Sequence, residues 1–360
     1  MNKEYASSWE RVKATIFHLF PHHFLSRCTY WITRQRGFWV ASLIRSFIKF
    51  FKVDLSDAEI DQVEGYTTFN QFFTRNLKDG TRPIDDDNDV ISSPCDGRIS
   101  QFGAIDNRQM IQAKGKYYSL NDFFTSACSH TEKFIDGQFM TIYLSPRDYH
   151  RVHMACDARL LEMVYVPGRL FSVAPYAPKA IEKVFAKNER VVSIFEVEGG
   201  YMAATMVGAV NVAAIDMAWH GMVTPPHMNL TARYDYQNED ITLNKGDEMG
   251  TFNMGSTVVL CFSKGCYSPL AALATELGLK MGETIGHNSE QAAANAAAKA
   301  TPEVVAEDKV ESEVEIETIE EVTTSAEVET EVEVEEQTSA PVDYVTTPAN
   351  DSDTADSNKP

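Results

Sequence analysis

Apolar side chains in the first 53 residues recur at helical spacing. Residues 9–20 and, more strongly, residues 37–52 place them every three or four positions, which predicts two amphipathic helices. Lys and Arg interrupt the second stripe, and its longest uncharged run, Gly37 to Ile44, is far short of the ~20 residues that span a bilayer. We therefore expect these helices to be amphipathic rather than transmembrane.

The pattern changes further along the chain. Residues 54–77 still have a helical pattern, but from about Val90 to Phe262 the apolar residues form short or alternating runs separated by Gly, Pro and Asp. Such runs predict strands. The predicted strands cover residues 98–102, 138–144, 160–166, 191–198, 201–207, 212–219 and 257–262, and short helical pieces cover residues 122–124 and 177–185. We expect an α+β fold in which N-terminal amphipathic helices precede a β-rich, sandwich- or barrel-like catalytic body.

Charge divides the chain into three parts. Residues 287–360 hold 20 Asp and Glu against 3 Lys and Arg, so they carry −17 of the net charge of −20. Residues 1–53 carry +7 and residues 54–286 carry −10. Dense like charges with few large apolar residues predict disorder. We therefore expect basic helices over residues 1–53, a catalytic domain over residues 54–286 and an acidic disordered tail over residues 287–360.

The basic helices have two interpretations. They pack on the catalytic body, or they lie in a membrane interface, where a basic amphipathic helix with aromatic residues is stable. In the second case each Lys or Arg near an anionic leaflet adds about 1 kcal/mol. The pattern alone favours neither, and both can hold for different helices.

The six cysteines do not form a C-x-x-C pair, so the sequence gives little support to a zinc or thioredoxin-type site. We expect no metal. Charged residues interrupt any early apolar core, so no secretory signal is visible. We expect reduced thiols in a protein that faces the cytosol.

Ser256 follows Gly255 between two strand-like runs, Met249–Met254 and Val258–Phe262. A glycine inside a strand pattern indicates a bulge or kink. A serine hydroxyl placed there can point back at the Gly255 carbonyl, the geometry needed for self-cleavage. The tripeptide Gly-Ser-Thr alone is weak evidence for self-cleavage, because it occurs by chance in roughly one chain in ten of this length.

Asp96 and His153 supply the residue types that would accompany a serine nucleophile. A histidine can take the serine proton, and a carboxylate can fix the histidine tautomer. His150 and His153 point to opposite faces of a regular strand, so they share a site only if the chain bends there. Taken singly, each histidine is more often structural, zinc ligation is a remote third possibility, and Asp96-Gly97 is typical of a turn.

Seven sequence stretches support a functional role for these residues, because the stretches run in order across most of residues 55–265. They are Phe69-Asn-Gln-Phe-Phe-Thr-Arg75, Arg82-Pro-Ile-Asp85, Pro94-Cys-Asp96-Gly, residues 143–154, Tyr165-Val-Pro-Gly-Arg-Leu-Phe-Ser172, Phe185-Ala-Lys-Asn-Glu-Arg190 and Gly255-Ser-Thr257. On these motifs the chain resembles the bacterial-type phosphatidylserine decarboxylases, which are pyruvoyl-dependent membrane enzymes. One departure is Met254, where the family usually has Leu, and this change conserves volume.

The resemblance implies a self-processing enzyme. Asp96, His153 and Ser256 would form the self-cleavage triad, which cuts between Gly255 and Ser256 to give a β chain (1–255) and an α chain (256–360). Ser256 would become a covalent pyruvoyl group, the cofactor, which forms a Schiff base with phosphatidylserine. Loss of CO2 and release of phosphatidylethanolamine would follow, and His150 would supply the proton for decarboxylation.

The resemblance also implies the partners. These are phosphatidylserine, an anionic membrane surface, and the cleaved α and β chains as a heterodimer, with a dimer of heterodimers left open and no nucleic acid. A lipid substrate favours the membrane interpretation of the N-terminal helices, and the expected location is peripheral on the cytoplasmic face of the inner membrane.

Three other functions stay open at this point. A serine hydrolase would use Asp96, His153 and Ser256, although the chain lacks a G-x-S-x-G elbow. A pyruvoyl enzyme acting on a soluble amino acid would share the chemistry. A non-enzymatic membrane adaptor would leave the Asp, His and Ser pattern without a purpose.

Overall fold

The computed structural model describes Ser7, Trp9 and residues 22–209, 214–225 and 229–289. Its α-helices are α1 (His22–Thr33), α2 (Trp39–Phe51), α3 (Phe69–Phe73), α4 (Leu120–Phe124), α5 (Ala177–Ala180) and α6 (Val184–Lys187), with 3-10 turns at Val63–Gly65 and Thr131–Phe134. In this part of the chain, no helix combines the length and the apolar character that crossing a bilayer requires.

Eighteen short strands make up most of the body in the described ranges. They are β1 (Val90–Ser92), β2 (Gly97–Ala104), β3 (Gln109–Ala113), β4 (Lys116–Ser119), β5 (Gln138–Leu144), β6 (Arg151–His153), β7 (Ala158–Val166), β8 (Arg190–Val197), β9 (Gly200–Val207), β10 (Ile215–Met217), β11 (Gly221–Thr224), β12 (Ala232–Asp235), β13 (Thr242–Leu243), β14 (Glu248–Phe252), β15 (Ser256–Phe262), β16 (Ser268–Pro269), β17 (Gly278–Leu279) and β18 (Thr284–His287).

The largest sheet has nine strands in the order β12-β7-β8-β9-β15-β5-β2-β17, with β13 also paired to β7. The other sheets are β11-β10-β14-β6, β1-β18-β16 and β3-β4. The central strands β8, β9 and β15 are buried along almost their whole length. Their sequences are mostly apolar on both faces rather than alternating, because both faces of these strands are covered.

Two chain segments cross side by side from the large sheet to the four-stranded sheet. In the large sheet β5 pairs with β15, and Ser256 lies opposite Leu144. In the smaller sheet β6 pairs with β14, and Thr251 lies opposite Arg151. Residues 145–150 and 253–255, which join these strands, are therefore neighbours at one corner of the body, the crossing corner.

Helix α2 has two faces with different surroundings. Val40 and Ile44 are buried on the side that packs against α3, together with the partly buried Phe47. Phe50, away from that side, is 78 % exposed, and Phe38, which directly precedes the helix, is 98 % exposed. Both interpretations of the basic helices are thus physically compatible, because one face serves packing and the other remains unpartnered within the described chain.

Helix α3 is short but well defined. Thr68 caps its first turn by accepting a hydrogen bond from the amide of Gln71 at 3.1 Å. Phe69, Phe72 and Phe73 are all buried between α2 and the body. This helix connects the N-terminal helices to the crossing corner, because Met254 packs against the same cluster.

The expected fold class, α+β with N-terminal helices and a β-rich body, is confirmed. The helical prediction for residues 54–77 was mostly wrong, since only two short helical pieces form there and the remainder is turn and loop. The helix predicted over residues 9–20 and the acidic tail lie outside the described residues, apart from Trp9 and the first residues after 287. Strand β18 continues through His287, which pairs with Val90, and the Asn288 amide donates to the Asp89 carbonyl.

Candidate active site

Ser256 is the first residue of β15 and is fully buried. Its Oγ has no hydrogen-bond partner among the described residues. Other buried hydroxyls in the same sheet share this property, including that of Ser193 in β8. The Ser256 hydroxyl is therefore available for chemistry. It differs from the other unpartnered hydroxyls of the sheet in its position directly after Gly255.

Gly255 is not required by packing. A Cβ at this position would meet no atom within 4 Å, and the residue is not in the left-handed region. The predicted kink lies one or two residues earlier, at Asn253 and Met254, where β14 has ended and the chain bends. A residue without a side chain leaves the approach to its own carbonyl carbon unhindered.

His150 lies in the other crossing segment and is fully buried. Its backbone carbonyl accepts the Phe252 amide at 3.0 Å, which ties it to the end of β14. Its Nδ1 contacts the Asp148 carbonyl at 2.8 Å. Because a carbonyl only accepts, Nδ1 carries the proton and Nε2 keeps its lone pair, and Nε2 has no partner in the described chain.

Two neighbours set the protonation of His150. Phe73 lies against its ring, with 4.1 Å between the ring centroids. Arg75 donates from Nη2 to the carbonyls of Arg147 (3.1 Å) and Asp148 (3.5 Å), so it holds the loop that carries His150. Burial, together with the nearby Arg75 charge, lowers the pKa of His150 to about 3. The imidazole is therefore neutral at physiological pH and carries a free basic nitrogen.

His153, at the end of β6, uses both ring nitrogens. Nδ1 donates to the Gly246 carbonyl at 2.8 Å, and Nε2 accepts from the Tyr149 hydroxyl at 3.0 Å. Its backbone amide donates to the Pro94 carbonyl at 2.7 Å. Burial lowers the pKa of His153, so this ring is also neutral, but its basic nitrogen is already engaged.

Asp96 is 3 % exposed and surrounded by donors. Arg82 binds both carboxylate oxygens (3.0 and 2.8 Å), Lys280 lies 3.2 Å away and the Met281 amide donates at 2.9 Å. Burial by itself raises the pKa of Asp96, but the hydrogen bonds from Arg82 and Met281 outweigh it and hold the pKa below its usual value. Asp96 is thus an ionised, fully paired carboxylate.

The three predicted triad residues surround one corner without being joined to one another. In the described chain, no hydrogen bond connects Asp96, His153 and Ser256. The backbone contact between His153 and Pro94 brings the first two segments together. His150 is linked to the segment that precedes Ser256 through Phe252. The residues that the sequence suggested therefore lie in one region, but the sequence did not predict the hydrogen bonds that they make.

Two pockets open beside this corner. The larger, of about 890 Å³, is lined by Asp96, Arg75 and Tyr143 and reaches Phe50 and Lys52 at the end of α2. The second, of about 600 Å³, is lined by His153, with Arg82 and Tyr149 shared between the two. Ser256 and His150 line neither pocket, so the uncut chain keeps them sealed.

Sequence reasoning missed several residues of this site. Tyr149 stands beside His150 in the quoted motif but gave no signal of its own, and Lys280 and Gly246 come from distant segments. Arg75 and Arg82 differ in whether they form salt bridges. Arg82 does so, with Asp57 as well as Asp96, whereas Arg75 makes only carbonyl contacts among the hydrogen bonds of the described chain.

The described ranges contain no group of three or more His, Cys, Asp or Glu side chains arranged to hold a metal ion. The six cysteines are free thiols, five of them buried.

Comparison with known proteins gives a consistent result. A family model described as phosphatidylserine decarboxylase matches residues 69–287, and a second, described as PSD, matches residues 12–52. The first model covers more than half of the chain and contains Asp96, His150, His153 and Ser256. Its match ends at residue 287, where the acidic segment of the sequence begins.

Individual relatives agree with the family match. A phosphatidylserine decarboxylase proenzyme from Methylococcus capsulatus is 43 % identical over 274 residues, covering 76 % of this chain and 95 % of the relative. The Alkalilimnicola ehrlichii proenzyme is 46 % identical over 257 residues (71 % and 89 %), and that of Vibrio cholerae is 43 % identical over 284 residues (78 % and 100 %).

Proposed function

This chain belongs to the phosphatidylserine decarboxylase family, and we propose that it is a precursor that cuts itself between Gly255 and Ser256 and then decarboxylates phosphatidylserine. The observation that carries the proposal is the crossing corner, where a buried serine follows an unhindered glycine beside a neutral histidine with a free basic nitrogen. A serine hydrolase is not favoured, because the relatives are decarboxylase proenzymes.

The first step is an attack of Ser256 Oγ on the Gly255 carbonyl carbon. The Ser256 proton passes to a base, the peptide nitrogen leaves as the amine, and an ester joins residues 255 and 256. Removal of the Ser256 α proton then breaks the ester by β-elimination and releases the Gly255 carboxylate. Water hydrolyses the remaining enamine at position 256, which leaves the pyruvoyl group and ammonia.

We propose His153 as the base for this step and Asp96 as the charge that supports it. For His153 to act, the Tyr149 hydroxyl must release Nε2, because it occupies that nitrogen at 3.0 Å. Asp96 acts through the field of its paired carboxylate, since it makes no hydrogen bond to His153 in the described structure. The competing base is His150, whose Nε2 is already free.

The residues around position 256 fit a pyruvoyl group made from this serine. The buried Oγ and the buried His150 Nε2 both lack partners, so new polar contacts can form there without displacing existing ones. Such a group supplies a carbonyl that takes up the substrate amine and accepts the electrons released with CO2.

His150 has a proposed role in moving the proton of that reaction. Its Nε2 has an unused lone pair, and an amino-acid headgroup arrives with its amine protonated. We propose that Nε2 takes this proton and later returns it to the carbon from which CO2 has left. Arg75 and Asp148 keep the ring oriented by fixing Nδ1.

The larger pocket suits a lipid headgroup that carries both charges. It presents six cationic side chains together with five carboxylates, those of Asp54, Asp57, Asp96, Asp148 and Glu276. The cationic residues are Lys52, Arg75, Arg82, Arg98, Arg147 and Lys280. Because Phe50 and Lys52 border the same pocket, the exposed face of α2 adjoins its opening. We propose peripheral binding of this face to an anionic membrane on the cytoplasmic side.

Intact-mass spectrometry of the purified protein tests the proposal. We expect two chains that meet between Gly255 and Ser256, with the α chain lighter than its serine form by the loss of ammonia. Ser256→Ala should remain a single inactive 40.3 kDa chain. Ser193→Ala removes another unpartnered buried hydroxyl and should be cut normally. A single active wild-type chain would contradict the proposal.

Single substitutions of the two histidines separate their roles. His150→Ala should be cut but should turn over phosphatidylserine at least about a hundredfold more slowly, as for loss of an acid-base group. His153→Ala should stay uncut. If His150→Ala instead blocks cutting, His150 is the base for self-cleavage and the two assignments are exchanged.

A further inference from the structure

Asn253 lies two residues before the predicted cleaved bond, in the bend between β14 and β15. It is 3 % exposed. Neither its residue type nor the sequence pattern marks it as functional, and no part of the proposed chemistry uses it. Its hydrogen bonds, however, connect three separate parts of the body to the segment that must be attacked.

The side-chain amide of Asn253 uses its full hydrogen-bonding capacity. Nδ2 donates to the Ala214 carbonyl at 3.3 Å and to the Asp216 carboxylate. Oδ1 accepts from Arg34 Nη2 at 2.9 Å and from Asn70 Nδ2 at 3.0 Å. Two donors and two acceptor sites are all that an amide side chain has, so these four hydrogen bonds hold the Asn253 amide in one orientation.

The backbone at this position is held as well. The Asn253 amide donates to the Ala214 carbonyl at 2.9 Å, and the preceding Phe252 amide donates to the His150 carbonyl. By contrast, the space that a side chain at Gly255 would occupy is open. No side-chain packing therefore fixes the Gly255 carbonyl, and the anchor at Asn253 restricts the chain that leads to it.

Arg34 links this anchor to the N-terminal helices. It follows α1 directly, its guanidinium lies 3.7 Å from the centre of the Tyr30 ring, and it contacts the Tyr30 carbonyl. Burial lowers the pKa of Arg34, but an arginine stays charged at physiological pH. The positive Arg34 and the negative Asp216 thus bind opposite ends of one neutral amide.

We infer that Asn253 is a positioning residue for self-cleavage, and that Arg34 couples the docking of α1 to it. The inference rests on the proposed function. The anchor holds residues 253–255 so that the Gly255 carbonyl stays within reach of Ser256 Oγ. Small misplacements of reacting atoms are enough to slow such a reaction by about a hundredfold.

The experiment measures the first-order rate at which freshly synthesised chain separates into two fragments on a gel. Asn253→Ala should slow this rate by at least about tenfold, and Arg34→Ala by a smaller factor. Adding Arg34→Ala to Asn253→Ala should slow cleavage no further, because both act through one anchor. Arg36→Ala, in the same loop and exposed, should be cut at the wild-type rate.

A charge exchange tests the geometry. Asn253→Asp keeps an acceptor for Arg34 and Asn70 but turns a carboxylate toward Asp216, so it should slow cleavage. Adding Asp216→Asn restores a donor opposite that carboxylate and should recover a large part of the rate. No recovery would contradict the inference, since the pairing would then not be what positions the segment.

A remote destabilised variant distinguishes positioning from general loss of stability. Glu162→Gln weakens a buried network elsewhere in the body and should still be cut at the wild-type rate. If Asn253→Ala and Glu162→Gln slow cleavage equally for equal losses in thermal midpoint, the role of Asn253 is only structural and the inference is overturned. If the wild-type chain is not cut at all, the proposed function fails first.

Discussion

Two buried polar regions of the β-rich body are organised in opposite ways. Around Glu162, in β7, a fully buried carboxylate accepts from Cys128, from the amide and hydroxyl of Ser129, from His130 and from Arg233. At the crossing corner, Ser256 Oγ and His150 Nε2 are equally buried and have no partner within the described chain.

The difference follows from what each region does. Burying a charge is tolerable only when it is paired and hydrogen-bonded, and the contacts around Glu162 meet that need so fully that, despite burial, they lower its pKa to about 2. An unpartnered hydroxyl or imidazole costs stability, but its lone pairs remain available. The contacts around Glu162 therefore stabilise the fold, whereas at the crossing corner Ser256 Oγ and His150 Nε2 remain available to react.

Breaking the paired region should have the largest effect on stability. In the uncut Ser256→Ala background, Glu162→Ala should lower the free energy of unfolding by about 3 kcal/mol, as for a broken buried ion pair. Urea unfolding measures this change. Glu196→Ala, which breaks the exposed pair with Arg159 on the neighbouring strand, should cost less than about 1 kcal/mol. Equal losses of unfolding free energy in Glu162→Ala and Glu196→Ala would contradict the stabilising role of the contacts around Glu162.

The pH dependence of stability reports on the unpaired region. The pKa of His150 is about 3 in the folded chain and about 6.5 when unfolded, so the unfolded chain binds more protons between these values. The contribution of His150 to the free energy of unfolding is therefore fully present above about pH 6.5. It is lost as the pH falls toward 3, by up to about 1.4 kcal/mol per pH unit.

Measurements between pH 6.5 and 5 separate the histidines from Glu162, whose lowered pKa acts only below about 4.5. In the Ser256→Ala background, His150→Gln should flatten this slope by about 1 kcal/mol per pH unit. His153, whose pKa burial also lowers, should account for a further part. An unchanged slope in His150→Gln would contradict the buried neutral state of His150.

Removing the unpartnered hydroxyl should have a smaller effect of the opposite sign. Ser256→Ala should leave the chain as stable as an uncut wild-type chain or more stable, by up to about 1 kcal/mol, because a buried unsatisfied group is lost. Unfolding of the freshly made chain before it is cut provides the comparison. A loss of more than about 1 kcal/mol would indicate a hydrogen bond to Ser256 Oγ that the described structure lacks.

Deleting the acidic tail should have the smallest effect. Because β18 and Asn288 are bonded to the body, the deletion should remove residues 290–360 and spare those before them. We expect unchanged cleavage, activity and unfolding free energy within about 0.5 kcal/mol. An insoluble or uncut product would show that the tail supports the fold.

The sequence by itself predicted the main strands of the large sheet and supplied the candidate residues of the site. The strand predicted over residues 138–144 matches β5, and 257–262 falls within β15, because long apolar runs in a buried sheet leave few other options. Asp96, His150, His153 and Ser256 came from collinear motifs. The helical pattern of residues 54–77 gave a mostly wrong prediction, because the packing of Phe69, Phe72 and Phe73 against α2 decides the conformation there.

Only the tertiary structure decided how those residues are connected. Arg82 reaches Asp96 from one loop, and the adjacent Lys280 and Met281 reach it from another. Tyr149 and Gly246 bind the ring of His153, and Arg75 holds the loop of His150. The anchor at Asn253 joins residues 34, 70, 216 and 253. Such contacts depend on which strands cross at one corner, and hydrogen bonds between segments far apart in sequence leave no periodic trace along the chain.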